Sequence, residues 1–495
     1  GCNATELLIK GCQKMKLYAY NTKYEIHDYN LGDIPRLEND MSVWDKNSYF
    51  PRTGHYDPKY YYDEENHILY VPRGYDRMKL EALVGKSVVD KNICTNKDKV
   101  SYSITVPPKN DTQKESVRFL TGMNEYRKMG KEHQLILSLP TGAGKTYCAI
   151  SACSILETRV MIVVGTDNLR KQWARQILQF TNLTKSSIYM INGTKSVEKL
   201  YKMDRRQFEE YAFFITTHSS LRSYVKANGF GSLDSLFDKL GIGIKIIDEA
   251  HLQYLNTMFV DYSTNVWKTF YLTATFSQST ENVDEMFQRA FKSVFRLKLQ
   301  NTNRKHVIWW RVKFSSKSNA VDKLFVKGTR GFNKYNYIEY EMEKGVLKHV
   351  FEELMKFFIG RMRLEGKILV LSAKKESCEY FKSALNDLYP EYSACCHYTL
   401  NKVDDFAPYG VIFATSGMLG TGEDIAGLRL IINLEPLSST RNTVQIVGRL
   451  REYSADKDTY YVEPIDVSFP IVTRMLPKRE SVLKDIVKEA VDVKL

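Results

Sequence analysis

The chain lacks any apolar run of about 18 residues, so no helix able to cross a membrane is expected. It also lacks a Cys-x-x-Cys pair: its eight cysteines are scattered at positions 2, 12, 94, 148, 153, 378, 395 and 396, which argues against a zinc ribbon. Cys395-Cys396-His397 has no second ligand cluster to pair with and reads as a strand. A secreted disulfide framework does not suit so long a chain, which leaves reduced cytosol as the expected compartment. Residues 1–16 hold a short Leu-Leu-Ile run and no signal-peptide apolar segment, so a cytoplasmic location is expected. Acidic residues are the minority charge, 58 against 71 Lys and Arg, for a net +13 and a pI of about 9.0. That balance favours a polyanionic partner, nucleic acid ahead of a membrane surface.

At 495 residues and 43% hydrophobic content, the chain has room for two or three cores. One stretch organises it: Leu139-Pro140-Thr141-Gly142-Ala143-Gly144-Lys145-Thr146. The run Leu135-Ile136-Leu137-Ser138 before it reads as a buried strand, and Tyr147 to Leu156 after it reads as a helix. Strand, glycine-bearing loop, Gly-Lys-Thr and helix make the context of a phosphate-binding loop, although Leu139 stands where the usual first glycine would be. Glycines let backbone N–H groups close around phosphate oxygens, and the helix N-terminus adds its positive dipole end. Pro140, Thr141, Gly142, Ala143, Gly144, Lys145 and Thr146 are therefore the expected nucleotide-binding residues. Lys145 can reach the β- and γ-phosphates, and the Thr146 hydroxyl can ligand Mg²⁺.

Residues 1–105 are dense in tyrosine. Leu17-Tyr18-Ala19-Tyr20 and Tyr24-Glu25-Ile26, split by Asn21-Thr22, predict a hairpin. His67 to Val71 predicts another strand, stopped by Pro72-Arg73-Gly74, and Met78 to Val84 predicts a short helix. These elements suggest a small α+β accessory domain. Its tyrosines either stack bases beside basic residues or complete a thin core. Residues 106–297 alternate apolar strands (134–139, 160–165, 213–217, 244–247 and 269–272) with helices, the pattern of a parallel sheet covered on both faces. Thr112 and Glu115 fit a capping box near the start of that region. Residues 298–345 are less regular and read as a linker or insertion. Glu341 to Arg361 reads as one long amphipathic helix. Residues 346–470 form a second alternating block, with strands at 367–372, 411–415, 430–433 and 459–462. Residues 471–495 read as a charged helical tail. The expected fold class is α/β, with two tandem parallel-sheet lobes behind the accessory domain.

A phosphate loop needs a carboxylate for Mg²⁺ at the end of a nearby apolar strand. Ile244-Lys245-Ile246-Ile247-Asp248-Glu249-Ala250-His251 supplies it. Asp248 is expected at the metal, Glu249 at the attacking water and His251 near the γ-phosphate.

Residues 140–146, Asp248–His251 and Leu272-Thr273-Ala274-Thr275 resemble motifs I, II and III of superfamily 2 helicases and translocases, with a motif II of the Asp-Glu-Ala-His type. Gln113 is similar to the glutamine that contacts adenine in that superfamily. Thr166 to Trp173 resembles motif Ia, and Thr216-Thr217-His218-Ser219-Ser220-Leu221 resembles motif Ib. In the second lobe, Leu369 to Ser372 resembles motif IV, and Ala414-Thr415-Ser416 through Gly420-Thr421-Gly422-Glu423-Asp424-Ile425 resembles motif V. Gln445-Ile446-Val447-Gly448-Arg449-Leu450-Arg451 resembles motif VI. There the usual last arginine position holds Glu452, and Arg451 comes one residue early.

The resemblance implies two RecA-like lobes that use ATP and Mg²⁺. It implies catalytic roles for Lys145, Asp248, Glu249, His251, Gln445, Arg449 and Arg451, and adds Gly422 and Asp424 to the nucleotide contacts. Either Arg449 or Arg451 would be the arginine finger that closes the lobes on ATP. Nucleic acid would be gripped by Thr166, Arg170, Thr217, His218, Ser372, Thr415 and Thr421, mostly at phosphates, with Thr273 and Thr275 linking that grip to ATP. The compact core is similar to phage and viral DNA helicases of the UvsW branch-migration type, in which case the location is the host cytoplasm. The reading is a monomeric enzyme that unwinds or branch-migrates forked, branched or single-stranded DNA in replication, recombination or repair, with RNA a less favoured partner. The alternatives are a transcription-associated viral or RNA helicase, a duplex DNA translocase that does not unwind, and a binding or annealing protein with a vestigial ATPase.

Overall fold

The computed structural model describes residues 15–28, 42–44, 56–58, 61–63, 67–91, 94–96, 98–140, 142–251, 254–274, 281–298, 305–316, 326–327, 331–417, 425–437, 439–454 and 456–495. The chain divides into two compact units, residues 1–300 and 301–495. No described helix is long and apolar enough to cross a membrane.

The first unit opens with the accessory sheet. Its strands are β1 (Lys16–Ala19), β2 (Lys23–His27), β3 (Tyr61–Asp63), β4 (Ile68–Pro72) and β5 (Val89–Asp90), in the order β3-β4-β2-β1-β5. The expected hairpin is present: Leu17 pairs with Ile26 and Ala19 with Tyr24 across an antiparallel ladder. Helix α1 (Arg77–Val84) begins at Asp76, whose carboxylate accepts from Met78 N–H at 3.0 Å, and ends at Gly85 with φ 68°. Leu80 and Val84 of α1 pack on Leu17, Ile26 and Val71.

This sheet is not a separate bead. Tyr70 belongs to the apolar core of the following lobe, with its ring centroid 4.8 Å from that of Phe230. The turn between β1 and β2 reaches main-chain carbonyls of the same lobe: Asn21 Nδ2 donates to Val266 O at 3.1 Å and Lys23 Nζ to Tyr262 O at 2.7 Å, and the Thr22 hydroxyl donates to Thr264 O. Among the tyrosines of residues 1–105, Tyr24, Tyr70, Tyr75 and Tyr102 are buried. Tyr29, Tyr49 and Tyr60 lie outside the described residues.

The first lobe begins with α2 (Asp111–Thr121). Its cap is Asn110, whose side chain accepts from Gln113 N–H at 2.9 Å, so the expected Thr112–Glu115 capping box gives way to a cap two residues earlier. Then come β6 (Gln134–Ser138), α3 (Lys145–Ile155), β7 (Arg159–Val164), α4 (Asp167–Phe180), β8 (Ile188–Met190), α5 (Gly193–Lys202), β9 (Phe213–Thr217), α6 (His218–Asn228), α7 (Ser232–Leu240), β10 (Ile242–Ile247), α8 (Tyr254–Tyr262), β11 (Lys268–Thr273), α9 (Glu281–Ala290) and β12 (Phe295–Lys298). The seven strands form one parallel sheet in the order β8-β9-β7-β10-β11-β6-β12. Every residue of β6, β7, β10 and β11 is buried, as a parallel strand covered on both faces requires.

The second unit repeats the plan with β13 (Val307–Phe314), α10 (Lys334–Lys344), α11 (Val346–Met355), β14 (Lys367–Ser372), α12 (Lys375–Leu388), β15 (Ala394–His397), β16 (Val411–Thr415), β17 (Leu428–Asn433), α13 (Thr440–Val447), β18 (Thr459–Asp466), α14 (Pro470–Thr473), α15 (Leu476–Leu483) and β19 (Glu489–Lys494). Its parallel order is β15-β16-β14-β17-β18-β13-β19.

Three expectations are corrected here. Residues 307–314, read as part of a linker, are a full strand of this sheet with Trp309 buried. The tail read as helical ends in β19, which pairs with β13 at the sheet edge. The long helix from Glu341 to Arg361 is interrupted at Gly345, whose φ of 72° ends α10 and starts α11, and its last turn is a π-turn over Lys356–Arg361.

Replacing Tyr70 with alanine is expected to lower the free energy of unfolding by about 3 kcal/mol. Urea denaturation followed by circular dichroism should show one transition moved to lower urea. A separate early transition of the accessory sheet would contradict the shared core.

Candidate functional site

The C-terminal ends of parallel strands form the crevice where α/β sheets bind ligands. In the first lobe, β6, β10 and β11 end there side by side, with β11 between the other two. β6 runs into Leu139, whose N–H donates to Thr273 O at 3.1 Å and so joins the glycine loop to the end of β11. Thr141 lies outside the described residues. Gly144 has φ 93° and is the N-cap of α3, so no side chain at that position caps the amides of the first turn. A Cβ there would lie 2.2 Å from Gln113 Nε2. Gln113 lies against the loop, donating to Ala143 O at 3.2 Å and accepting from Lys109 N–H at 2.8 Å. The Lys145 ammonium is buried and donates to Leu139 O at 3.2 Å.

Asp248 follows β10 and is buried. Its Oδ2 accepts from the indole N–H of Trp173 at 2.7 Å and its Oδ1 from Glu249 N–H at 2.9 Å. Burial pushes its carboxyl above the usual range, while the Trp173 bond, the Lys145 charge and the Glu249 N–H pull it down. Glu249 has φ 49°, a left-handed conformation that costs a non-glycine residue about 1–2 kcal/mol. His251 is fully buried, with Nδ1 2.7 Å from Thr273 Oγ1 and 3.3 Å from Glu249 Oε2. Thr275 lies outside the described residues.

The donor set fits a magnesium ion that arrives with a nucleotide. Among the described residues no cluster of three or more His, Cys, Asp or Glu side chains could hold a metal unaided. One hydroxyl, Thr146, and one carboxylate, Asp248, suit a hard cation that takes its other oxygens from phosphate and water.

The expected nucleic-acid contacts divide. Thr166 and Thr217 are the N-caps of α4 and α6, at the same end of the sheet. Arg170 is buried and donates to Ile191 O and to the Asp167 carboxylate. His218 is buried, with Nδ1–H donating to Val164 O at 3.1 Å and Thr257 Oγ1 3.4 Å from its Nε2. In the second unit Ser372 is buried and donates to Ser377 Oγ at 2.6 Å. Arg170, His218 and Ser372 are thus buried and bonded to protein partners, with Arg170 Nε left without one among the described residues, and they offer no exposed surface to a strand. Thr415 ends β16 and lines a cleft of about 980 Å³ with Lys334, Lys374, Tyr398 and Ser416. Ser416 and Lys334 both donate to the buried Glu435, at 2.9 and 2.6 Å. Thr421, Gly422 and Asp424 lie outside the described residues.

Gln445 is on α13, which ends at Val447, with Gly448 as its C-cap. Arg449 and Arg451 follow the helix, half-buried and exposed respectively. Off the helix the 3.6-residue spacing no longer fixes which way a side chain points, so Arg451 one position early is no breach of helical register. Sequence reading placed Trp173 only as the end of the motif Ia segment, without its bond to Asp248, and passed over Arg479. The fully buried Arg479 donates to Leu437 O at 2.7 Å and pairs with Glu463 at 3.0 Å, pinning the segment that enters α13. Neither belongs to a local pattern that announces its partner.

Residues 108–296 match the family described as the type III restriction enzyme, res subunit. The putative helicase 161L of Invertebrate iridescent virus 6 is 22% identical over 379 residues, which cover 71% of this chain and 78% of that protein. The ATP-dependent DNA helicase MPH1 of Scheffersomyces stipitis is 28% identical over 165 residues, 31% of this chain and 15% of MPH1. The structure of S. cerevisiae Dbp5 bound to RNA and ADP BeF3 superposes with a TM-score of 0.51 at 17% identity, over 78% of this chain and 90% of that one, and shows the shared fold of two RecA-like lobes. The crystal structure of T4 UvsW aligns over 97% of this chain and 99% of its own, at a TM-score of 0.37 and 14% identity, too loose a superposition to bear on function.

Burial pushes the His218 imidazole down to about 4 from 6.5, so the folded chain keeps it neutral where the unfolded chain takes up a proton. Its stabilisation is complete above about pH 6.5 and is lost as pH falls through about 4. Between pH 7 and pH 5 this group is expected to remove about 2 kcal/mol of stability. Urea unfolding of the wild type and His218→Gln at both pH values checks it: the variant should lack that part of the pH dependence.

Proposed function

From a chain that is a superfamily 2 helicase, a nucleic-acid-stimulated ATPase, we propose an enzyme that unwinds or branch-migrates forked or branched DNA. The observation that carries the ATPase part is the placing of Lys145 after β6 and of Asp248 and Glu249 after β10, with Thr273 at the end of the intervening β11 bonded to His251. The amides of Gly142 to Thr146 cradle phosphate, Lys145 neutralises its charge and Gln113 reads the base. Thr146 and Asp248 hold Mg²⁺, which when bound offsets the charge that builds on the phosphate oxygens. Glu249 orients the attacking water and accepts its proton. His251 and Thr273 relate the state of that site to the end of β11. Gln445 and one of Arg449 and Arg451 complete the catalytic set.

Thr166, Thr217 and Thr415 contact the strand's phosphates. Arg170, His218 and Ser372 act behind them as internal supports. The positive net charge supports a nucleic-acid partner, and the DNA helicase similarity supports DNA over RNA. No membrane partner is involved, the enzyme acts as a monomer, and its location is the cytoplasm, the host's for a viral chain.

Lys145→Ala is expected to lower nucleic-acid-stimulated ATP hydrolysis by about 100-fold or more. Full stimulated hydrolysis in that variant would end the enzyme reading. The substrate is read by comparing stimulation and strand separation on single-stranded, duplex, forked and four-way DNA and on RNA duplexes. Forked or four-way DNA should stimulate most and be unwound. Unwinding confined to RNA would select an RNA helicase. Displacement of a triplex strand without unwinding would select a duplex translocase.

A further inference from the structure

The Trp173 indole is 1% exposed, yet its N–H is bonded to a carboxylate 75 residues further along the chain, at 2.7 Å. An indole N–H can donate and cannot accept, so a tryptophan packed this deeply needs one fixed acceptor. Asp248 Oδ2 is that acceptor. The other carboxylate oxygen takes a backbone N–H, from Glu249. Each oxygen keeps further lone-pair capacity, so both donors can remain while the carboxylate serves a cation. The chemistry of the donor matters. A lysine or arginine in this place would cancel much of the charge that attracts a metal, whereas a neutral N–H fixes the carboxylate's plane and leaves its charge in place.

Trp173 also belongs to α4, whose N-cap is Thr166. The two residues are seven positions apart on one helix, about 10 Å along its axis, so a shift of the first turn carries the indole with it. One rigid element therefore has its N-terminal cap at the strand ends and a side chain on the motif II carboxylate.

We propose that Trp173 is the positioning residue through which α4 sets Asp248 for Mg²⁺, so that nucleic acid at the first turn of α4 alters the metal affinity of the nucleotide site. The proposal rests on the nucleotide and nucleic-acid reading given above. It goes beyond it in assigning the transmission between the two ligands to one hydrogen bond. Partners that orient a metal-ligating carboxylate are worth about 10–100-fold in metal affinity.

The test is equilibrium binding of a fluorescent ADP analogue to the full chain, titrated with Mg²⁺, with and without a single-stranded DNA oligonucleotide. In Trp173→Phe, which keeps an aromatic ring and loses the donor, the half-saturating Mg²⁺ should rise about 10-fold, with ADP affinity in EDTA unchanged. The oligonucleotide should shift half-saturation in the wild type and not in the variant. Trp173→His, which restores a ring N–H, should recover part of the loss. Wild-type Mg²⁺ half-saturation and a wild-type oligonucleotide shift in Trp173→Phe would overturn the proposal. If the wild type binds ADP with no dependence on Mg²⁺, the site reading itself fails and takes the proposal with it. Should the variants fold poorly, fluorine NMR of the 5-fluorotryptophan-labelled wild type decides. One buried indole resonance should move on adding Mg²⁺ with ADP and stay in place with ADP and EDTA, and no such movement would overturn the assignment.

Discussion

An ionised carboxylate accepts burial only where donors replace the water it gives up. Asp248 meets that constraint at the candidate site, and the strand ends of the first lobe are arranged around it. β10 must stop at Ile247 so that the next residue can turn out of the sheet, yet the backbone cannot leave its polar groups unpaired. Asp248 N–H therefore goes to Val163 O on one side and Ala250 N–H to Leu272 O on the other, with Glu249 held in its left-handed conformation between them. The three donors or charges acting on the carboxylate come from three places: the first residue of α3, the helix after β7, and the residue next to it. A shift in any of those elements is felt at one side chain.

The same strand repeats the problem three residues earlier. Lys245 is buried inside the sheet and is paired with Asp261 at 2.5 Å and Thr264 at 2.9 Å. Asp261 accepts in turn from Tyr271 at 2.6 Å, and Gln134 donates to Tyr271 at 2.8 Å. Each strand that ends at the candidate site thus contributes one member to an internal polar chain: Gln134 on β6, Lys245 on β10, Tyr271 on β11. Such a chain adds little net stability over an apolar equivalent, but removing one charged partner costs about 3–5 kcal/mol. Its larger effect is on register. Side chains alternate faces with period two, so a one-residue slip of β10 would drive Lys245 into the apolar layer formed by Ile162, Ile244 and Ile246.

Much of this was legible in the sequence because parallel strands covered on both faces are continuous apolar runs, and Leu135–Ser138, Ile244–Ile247 and Leu369–Ser372 are such runs. The phosphate loop and the Asp-Glu-Ala-His segment were legible because their function is local: neighbours in sequence surround one ligand. What escaped notice was set by distance. Val307–Phe314 is a strand because β18 and β19 flank it, and Glu489–Lys494 is one because it closes an edge; its charged, alternating residues carry no more strand signal than a solvated helix would. Arg170 and His218 stand in segments that resemble nucleic-acid motifs, and only the fold shows that they are buried and bonded to the carbonyls of Ile191 and Val164. The bond from Trp173 to Asp248 has no periodicity at all.

Most of the hydrogen bonds that join the accessory hairpin to the first lobe are made with the main chain of its host. Asn21, Thr22 and Lys23 bind the carbonyls of Val266, Thr264 and Tyr262. A carbonyl is present whatever side chain the residue carries, so these three bonds depend on the spacing of residues 262–266 and not on their identity; Asn265 is the exception in the segment, because its Oδ1 accepts from Asn21 N–H at 3.0 Å. Over generations the segment, Asn265 apart, is free to drift in composition as far as its own core allows. A single inserted or deleted residue would move every acceptor out of step with the hairpin at once.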